Sequence, residues 1–325
     1  MSLKNKVVMV TGGAGFIGSH LVDRIMNDRP AKLVIVDNFF LGKQRNIEYA
    51  MNASKSVKLY YQDAGHYEKM KNIMKLEEID VVFNLAVVPL LTSHELPKIT
   101  CEDNINITLA MLELAKNDYF KTLIHCSSSE VYGTAETIPM SEDHPFHPTT
   151  PYAASKAACD LIAQTYVNTF GLDLSIVRPF NNYGPRQNEG SYAGVIPITI
   201  KRIMEGKKPI VHGKGLQTRD YIYVGDTAEA MVQIYEHKNT RGKVLNIATG
   251  REITILDMIK AIAREMDYKG KFEFQRIRKA DVMRHKGDIS RAKNLIGFRP
   301  GTSFDIGIKN TVRWFESVMR EPVVK

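Results

Sequence analysis

Short runs of apolar residues recur along the chain at Val7–Val10, Leu33–Asp37, Val57–Tyr61, Val81–Ala86, Thr122–Ser127 and Leu174–Arg178. Continuous apolar runs of this length read as strands buried on both faces. Between several of them the pattern turns helical, as in Ser19–Ile25, Asn104–Ala115 and Tyr152–Phe170. That alternation predicts an α/β fold with a doubly wound parallel sheet. Beyond Arg178 the rhythm breaks. Pro179, Gly184, Pro185, Gly190, Gly194 and Pro197 punctuate a loop-rich stretch before a short helix near Ile198–Glu205. A smaller α/β C-terminal lobe is expected to begin there. Val244–Ile247 reads as a strand returning to the first domain, and the basic, apolar-periodic tail from Ile255 onward as the rest of the lobe.

The first strand runs into Thr11-Gly12-Gly13-Ala14-Gly15-Phe16-Ile17-Gly18 and then into a helix beginning near Phe16. Three glycines so spaced suit a pyrophosphate: Gly12 for the tight turn, Gly15 for close backbone approach, Gly18 for packing of helix on strand. The helix start aims its free N–H groups, those of Phe16 and Ile17 among them, at the anion. Asp37 ends the second strand about 20 residues on, where a carboxylate accepts from an adenosine ribose hydroxyl and repels a 2′-phosphate. The expected cofactor is therefore NAD, bound in a Rossmann-type domain covering 1–180 plus about 224–250. Residues 181–223 and 251–325 form the expected substrate lobe. Lys43 and Arg45 follow soon after Asp37 and could meet a 2′-phosphate, but solvated loop charges are the favoured reading.

A chain of 325 residues has material for one large unit with an attached lobe. Its formal charge of +8 raises the question of nucleic acid, but its Lys and Arg are scattered among acids and no aromatic-basic run occurs. An anionic small substrate suits the charge equally well. Cys101, Cys126 and Cys159 are widely spaced with no CxxC pair, which argues against a disulfide framework and a metal site. No run suits a signal peptide or a membrane span, so a cytoplasmic protein is expected.

Thr150-Pro151-Tyr152 reads as a helix start, with Thr150 as N-cap and Pro151 in the first position. Tyr152 and Lys156 then share one face a single turn apart. The ammonium, together with an oxidised nicotinamide, is expected to stabilise the phenolate and lower its pKa toward neutrality, making Tyr152 a general base. The preceding strand ends in Ser127-Ser128-Ser129-Glu130, which a parallel sheet places at its carboxyl edge, where ligands bind.

With these motifs the chain resembles the extended short-chain dehydrogenase/reductase family, in its nucleotide-sugar epimerase/dehydratase group. The resemblance rests on Thr11–Gly18, Asn84-Leu85-Ala86, Asn104, the Ser-Ser-Ser-Glu-Val-Tyr-Gly segment, Tyr152 with Lys156, Arg178 to Arg186, Arg219-Asp220-Tyr221 and Arg278-Lys279-Ala280-Asp281. It implies that Ser128 bonds the sugar 4-hydroxyl, Tyr152 removes its proton, Lys156 binds the nicotinamide ribose, and C4 gives a hydride to NAD. It also implies that Asp63, Ala86 and Asn104 line the cofactor, Asp63 at the adenine. Asn181, Arg219, Arg278 and Asp281 hold the nucleotide diphosphate, and Ser129 belongs to the substrate side.

Glu130 separates the reactions available to the group. A carboxylate beside an oxidised C4 can take the acidified C5 proton and pass it to the departing C6 hydroxyl, a 4,6-dehydration. The expected function is thus an NAD-dependent nucleotide-sugar 4,6-dehydratase, with a UDP-N-acetylhexosamine as a candidate substrate. A 4-epimerase and a uronate decarboxylase stay open, as does a non-catalytic NAD sensor. The apolar loop Val87–Leu91 suits a deoxy or methylene product better than a uronic carboxylate. Thr92 and Ser93 are candidates to touch substrate, and His94 carries no assigned role. Relatives pair two such long helices across a two-fold axis, so a homodimer is expected, with no nucleic-acid or membrane partner.

Overall fold

The computed structural model describes residues 1–190, 193–276 and 282–320. The six apolar runs form strands β1 (Val7–Thr11), β2 (Lys32–Asp37), β3 (Val57–Tyr61), β4 (Val81–Asn84), β5 (Thr122–Cys126) and β6 (Leu174–Pro179). With the returning strand Val244–Ile247 they make one seven-stranded sheet, whose order from that edge is Val244–Ile247, β6, β5, β4, β1, β2, β3. All its pairings are parallel.

Both faces are covered, as the continuous apolar runs require. Val8, Val10, Leu33 and Ile35 point into one core with Leu21, Val22 and Ile25 of helix α1 (Phe16–Met26). Met9, Val34 and Val36 point the other way, toward Met70 and Met74 of α3 (Tyr67–Glu77; α2 is Glu48–Ala53) and Met111 and Leu114 of α4 (Pro97–Lys116). The chain winds outward from β1 to β3, then crosses back to β4 on the other side of β1. That reversal opens a crevice at the carboxyl ends of β1 and β4, and the site lies there.

Helix α5 (Pro151–Phe170) starts as its sequence predicts, Thr150 Oγ1 accepting from Ala153 N at 3.1 Å, and ends at Gly171 in a left-handed conformation. Other boundaries differ from expectation. Strand β4 stops at Asn84 because the next two amides turn onto Thr11, whose Oγ1 lies 3.2 Å from Leu85 N and 3.3 Å from Ala86 N. Helix α4 begins seven residues before Asn104, at Pro97, where the first-turn position tolerates proline. For the same reason Pro197 sits inside the first turn of the helix Val195–Met204, which starts ahead of the expected Ile198.

The smaller lobe wraps helices Val195–Met204, Ile255–Glu265 and Phe304–Arg320 around Tyr183, Ile200, Met258, Ile262 and Phe315. Within the C-terminal tail, Ala292, Ile296 and Phe298 join the core of the main sheet instead. Two buried acids tie the connections. Asp220 accepts from the amides of Thr249, Gly250 and Gly287. Asp160 pairs with Arg178 at 2.8 Å, and that guanidinium also donates to Tyr132 Oη and the Glu142 carbonyl. Removing one partner of so buried a pair typically costs about 3–5 kcal/mol.

Candidate active site

The crevice is a cavity of about 440 Å³ that brings together most of the residues expected to act. Gly12, Gly15, Phe16, Ile17, Gly18, Asp37, Asp63 and Ala86 line one part; Ser128, Ser129, Glu130, Tyr152, Lys156 and Asn181 line the other. The glycine turn is sterically fixed. Gly12 has φ +67°, and a Cβ on it would lie 2.8 Å from Ala86 N; a Cβ on Gly18 would lie 2.1 Å from the Gly12 carbonyl oxygen. The close contact made by Gly18 is thus with the turn itself. Gly15 caps α1 without a side chain, leaving the first-turn amides to a ligand.

Asp37 is buried and accepts from Ala14 N on Oδ2 and Phe39 N on Oδ1, both at 2.8 Å. Burial raises its pKa despite these bonds. Each oxygen keeps a further lone pair for a ribose hydroxyl. Asp63 Oδ1 accepts from Gly65 N at 2.7 Å. Among the described residues, Ser127 Oγ, Asn182 Oδ1 and Arg186 Nη1 are buried without a hydrogen-bond partner, and all three residues line the cavity. Polar atoms of this kind want a ligand. The turn, the free helix start, the acid after β2 and these orphaned groups together fit a dinucleotide.

Ser128 shares a side-chain hydrogen bond with Tyr152, and its Oγ accepts from Glu130 N at 3.2 Å. The Lys156 ammonium donates to the Cys126 carbonyl at 2.7 Å, one helical turn from the phenol. In the protein alone, before a nicotinamide's charge is added, the Tyr152 pKa stands above its ordinary value. Enclosure of the phenol drives the pKa up, the Ser128 bond opposes this, and the charges of Cys126 and Glu130 add to the rise. The bond to the carbonyl uses one of the three donors of the Lys156 ammonium.

Several expected residues act from outside the cavity. Asn104 is buried behind it, clasping the backbone of Val88 (Oδ1 to N at 2.8 Å, Nδ2 to O at 3.1 Å) and donating to Ser155 Oγ. It positions the loop after β4. Arg219 donates to the carbonyls of Thr218 and Val282 and does not line the cavity. Thr92 and Ser93 are buried in a short helical turn, Ser93 Oγ donating to Leu90 O, and neither lines the cavity. Val87 to Leu91 do line it, as an apolar wall. Arg278 and Asp281 lie outside the described residues. Lys43 and Arg45, expected to be solvated, both pair with Glu189.

Sequence reasoning missed His285. It is fully buried against Phe180, with Nδ1 3.4 Å from Asn181 Oδ1 and Nε2 3.2 Å from the Ser129 carbonyl. Burial, helped by Arg219, lowers its pKa to about 3, so the ring is neutral. Nothing local marks it; it stands 156 residues from Ser129 in the chain. Arg186 had a signal, inside the Asn-Tyr-Gly-Pro-Arg segment, but no expected role.

A glycine-turn dinucleotide site joined to Ser, Tyr and Lys at a parallel sheet edge defines an extended short-chain dehydrogenase/reductase that acts on nucleotide sugars. The chain belongs to the GDP-mannose 4,6 dehydratase family, whose model matches residues 9–311. It is 33% identical over 313 residues to a UDP-glucose 4-epimerase of Mycolicibacterium smegmatis, covering 95% of this chain and 98% of that one. It is 32% identical over 325 residues to a UDP-N-acetyl-alpha-D-glucosaminuronate decarboxylase of Bacillus cytotoxicus, covering 96% and 98%. The solved dTDP-glucose 4,6-dehydratase of Bacillus anthracis in complex with NAD superposes with a TM-score of 0.86 at 29% identity, covering 96% and 97%. Among the described residues no helix is long and apolar enough to cross a membrane.

Proposed function

We propose that this protein is a nucleotide-sugar 4,6-dehydratase. The observation that carries the reading is Glu130, a carboxylate lining the same cavity as Ser128 and Tyr152 and close enough to act on the phenol's charge. The cofactor is NAD. Gly12 to Gly18 and Asp37 would hold it, and when bound it supplies the acceptor for the C4 hydride, the donor that returns hydride at C6, and a positive ring favouring phenolate. Ser128 orients the 4-hydroxyl and Tyr152 takes its proton. Lys156, fixed on the Cys126 carbonyl, keeps a cation one turn from the phenol. Glu130 takes the C5 proton and delivers it to the C6 hydroxyl, which leaves as water; hydride return at C6 then leaves an enolate that takes a proton from solvent at C5. Asn181 and Ser129 belong to the substrate side, and the apolar wall Val87–Leu91 accommodates a C6 that loses its oxygen.

The names of relatives favour two further readings, 4-epimerase and uronate decarboxylase. Incubation with UDP-N-acetylhexosamines, other UDP-, GDP- and dTDP-hexoses and UDP-uronates in heavy water separates them. Loss of one water with deuterium at C5 is expected. Unchanged mass with inversion at C4 makes the protein an epimerase, and loss of carbon dioxide from a uronate makes it a decarboxylase.

The homodimer expectation carries over as part of the proposal. Helices α4 and α5 lie side by side, and Ile99, Leu161 and Phe170 on them are exposed.

A further inference from the structure

The segment after β2 curls back onto the ribose carboxylate. Lys43 N donates to the Ala14 carbonyl at 3.0 Å, Asn46 Nδ2 to the same oxygen at 2.8 Å, and Ala14 N in turn donates to Asp37. Gly42 sits so tightly that a Cβ there would lie 2.6 Å from Asp37 Oδ1. Lys43 lines the cavity, six residues beyond Asp37, with Arg45 close by. Two cations beside a ribose are the equipment of a 2′-phosphate site. Here they are occupied by Glu189, which arrives from the segment that follows the main sheet and gives Oε1 to both. Arg45 also lies over the Trp314 ring, 5.5 Å from its centroid.

We infer that Glu189 is a second determinant of NAD over NADP, acting by neutralising Lys43 and Arg45. Asp37 alone sets a local repulsion that two neighbouring cations would cancel and reverse. With Glu189 in place, two carboxylates and two cations balance; without it, the group carries a net positive charge facing the ribose edge. The segment's position does not depend on this carboxylate, because Arg186 anchors it to Asp23 of α1 at 2.7 Å. Loss of Glu189 therefore frees the cations without removing the wall. The inference rests on the cofactor site alone and is independent of the reaction performed.

The test uses purified full-length protein exchanged against an equimolar mixture of NAD and NADP until the bound ratio is constant. Free nucleotide is then removed and the bound fraction released and quantified by chromatography. Glu189→Gln should raise the bound NADP-to-NAD ratio about tenfold or more, the scale of one charge-assisted phosphate contact. Glu189→Ala, which removes the same charge by another route, should do likewise. Adding Lys43→Gln and Arg45→Gln to Glu189→Gln should return the ratio to that of the parent protein. An unchanged ratio overturns the inference, as does equal loss of both nucleotides, which would make Glu189 a mere tether.

Discussion

The two walls of the cavity are built in opposite ways. The cofactor wall is local: Gly12 to Gly18 and Asp37 come from two consecutive strands and the turn between them, and backbone bonds such as Ala14 N to Asp37 join residues only 23 apart. The substrate wall is assembled from a distance. Ser129, Asn181 and His285 meet there through bonds spanning 104 and 156 residues. A local wall is specified by spacing, and a distant one only by how the whole fold packs. Chemistry falls along the seam, where β5 delivers Ser128 and Glu130 and α5 delivers Tyr152 and Lys156.

Substitutions can pull the walls apart. The largest effect is expected at the seam: Tyr152→Phe should cut turnover on the order of 10³-fold while NAD stays bound, since the proton of the sugar 4-hydroxyl is left with no acceptor. Chromatography of released nucleotide alongside product assay checks both halves, and an active variant would remove Tyr152 from the mechanism. Next comes the cofactor wall. Gly18→Ala places a methyl 2.1 Å from the Gly12 carbonyl, so the turn must move, at about 3 kcal/mol. Co-purified NAD should be lost while nucleotide-diphosphate binding, measured by calorimetry, persists. If both ligands are lost together, the walls are not independent.

On the substrate side, Glu130→Gln should lower dehydration about 10²-fold, the lower end for one general acid-base group. Partial reduction of bound NAD on adding substrate should continue, because C4 oxidation does not need this carboxylate. Absorbance at the reduced-nicotinamide band distinguishes the two. Loss of that signal would place Glu130 in the first step with Tyr152.

The same contrast explains what could be read in advance. The sheet was legible because β1, β2 and β4 are largely apolar runs with both faces buried, and the helix start at Pro151 because Thr150 caps it. The glycine turn was legible because its spacing is local, with Gly18 packed on the Gly12 carbonyl. Thr92 and Ser93 stand outside the cavity lining, and Ser93 Oγ donates to the Leu90 carbonyl of its own turn, a use of a hydroxyl that spacing does not distinguish from a sugar contact. Asn104 misled in the other direction: its type and position suit the cofactor site, yet its amide is consumed by the Val88 backbone. For Tyr152, spacing gives the proximity of Lys156 but not the Cys126 carbonyl to which its ammonium donates.

His285 supplies the smallest effect and the sharpest probe of the distant wall. Its pKa falls from an ordinary 6.5 to about 3 because the ring is buried. A histidine with a depressed folded-state pKa stays neutral in the native protein while the unfolded chain takes up a proton. Its contribution is therefore fully present above pH 6.5 and is lost progressively as pH falls from 6.5 toward 3. At pH 5 the loss is about 2 kcal/mol, one and a half units at about 1.4 kcal/mol each. His20, lowered to about 4, and His125, lowered by complete burial, act in the same direction. A comparison of the parent protein with His285→Gln cancels them, since both chains carry them. Glutamine keeps a donor for the Ser129 carbonyl and does not titrate. Urea unfolding at pH 7.5 and pH 5 should show the parent protein losing about 2 kcal/mol more than the variant. Equal losses would mean that the ring is protonated in place and that the segment carrying it yields, which would make the distant wall the softer of the two.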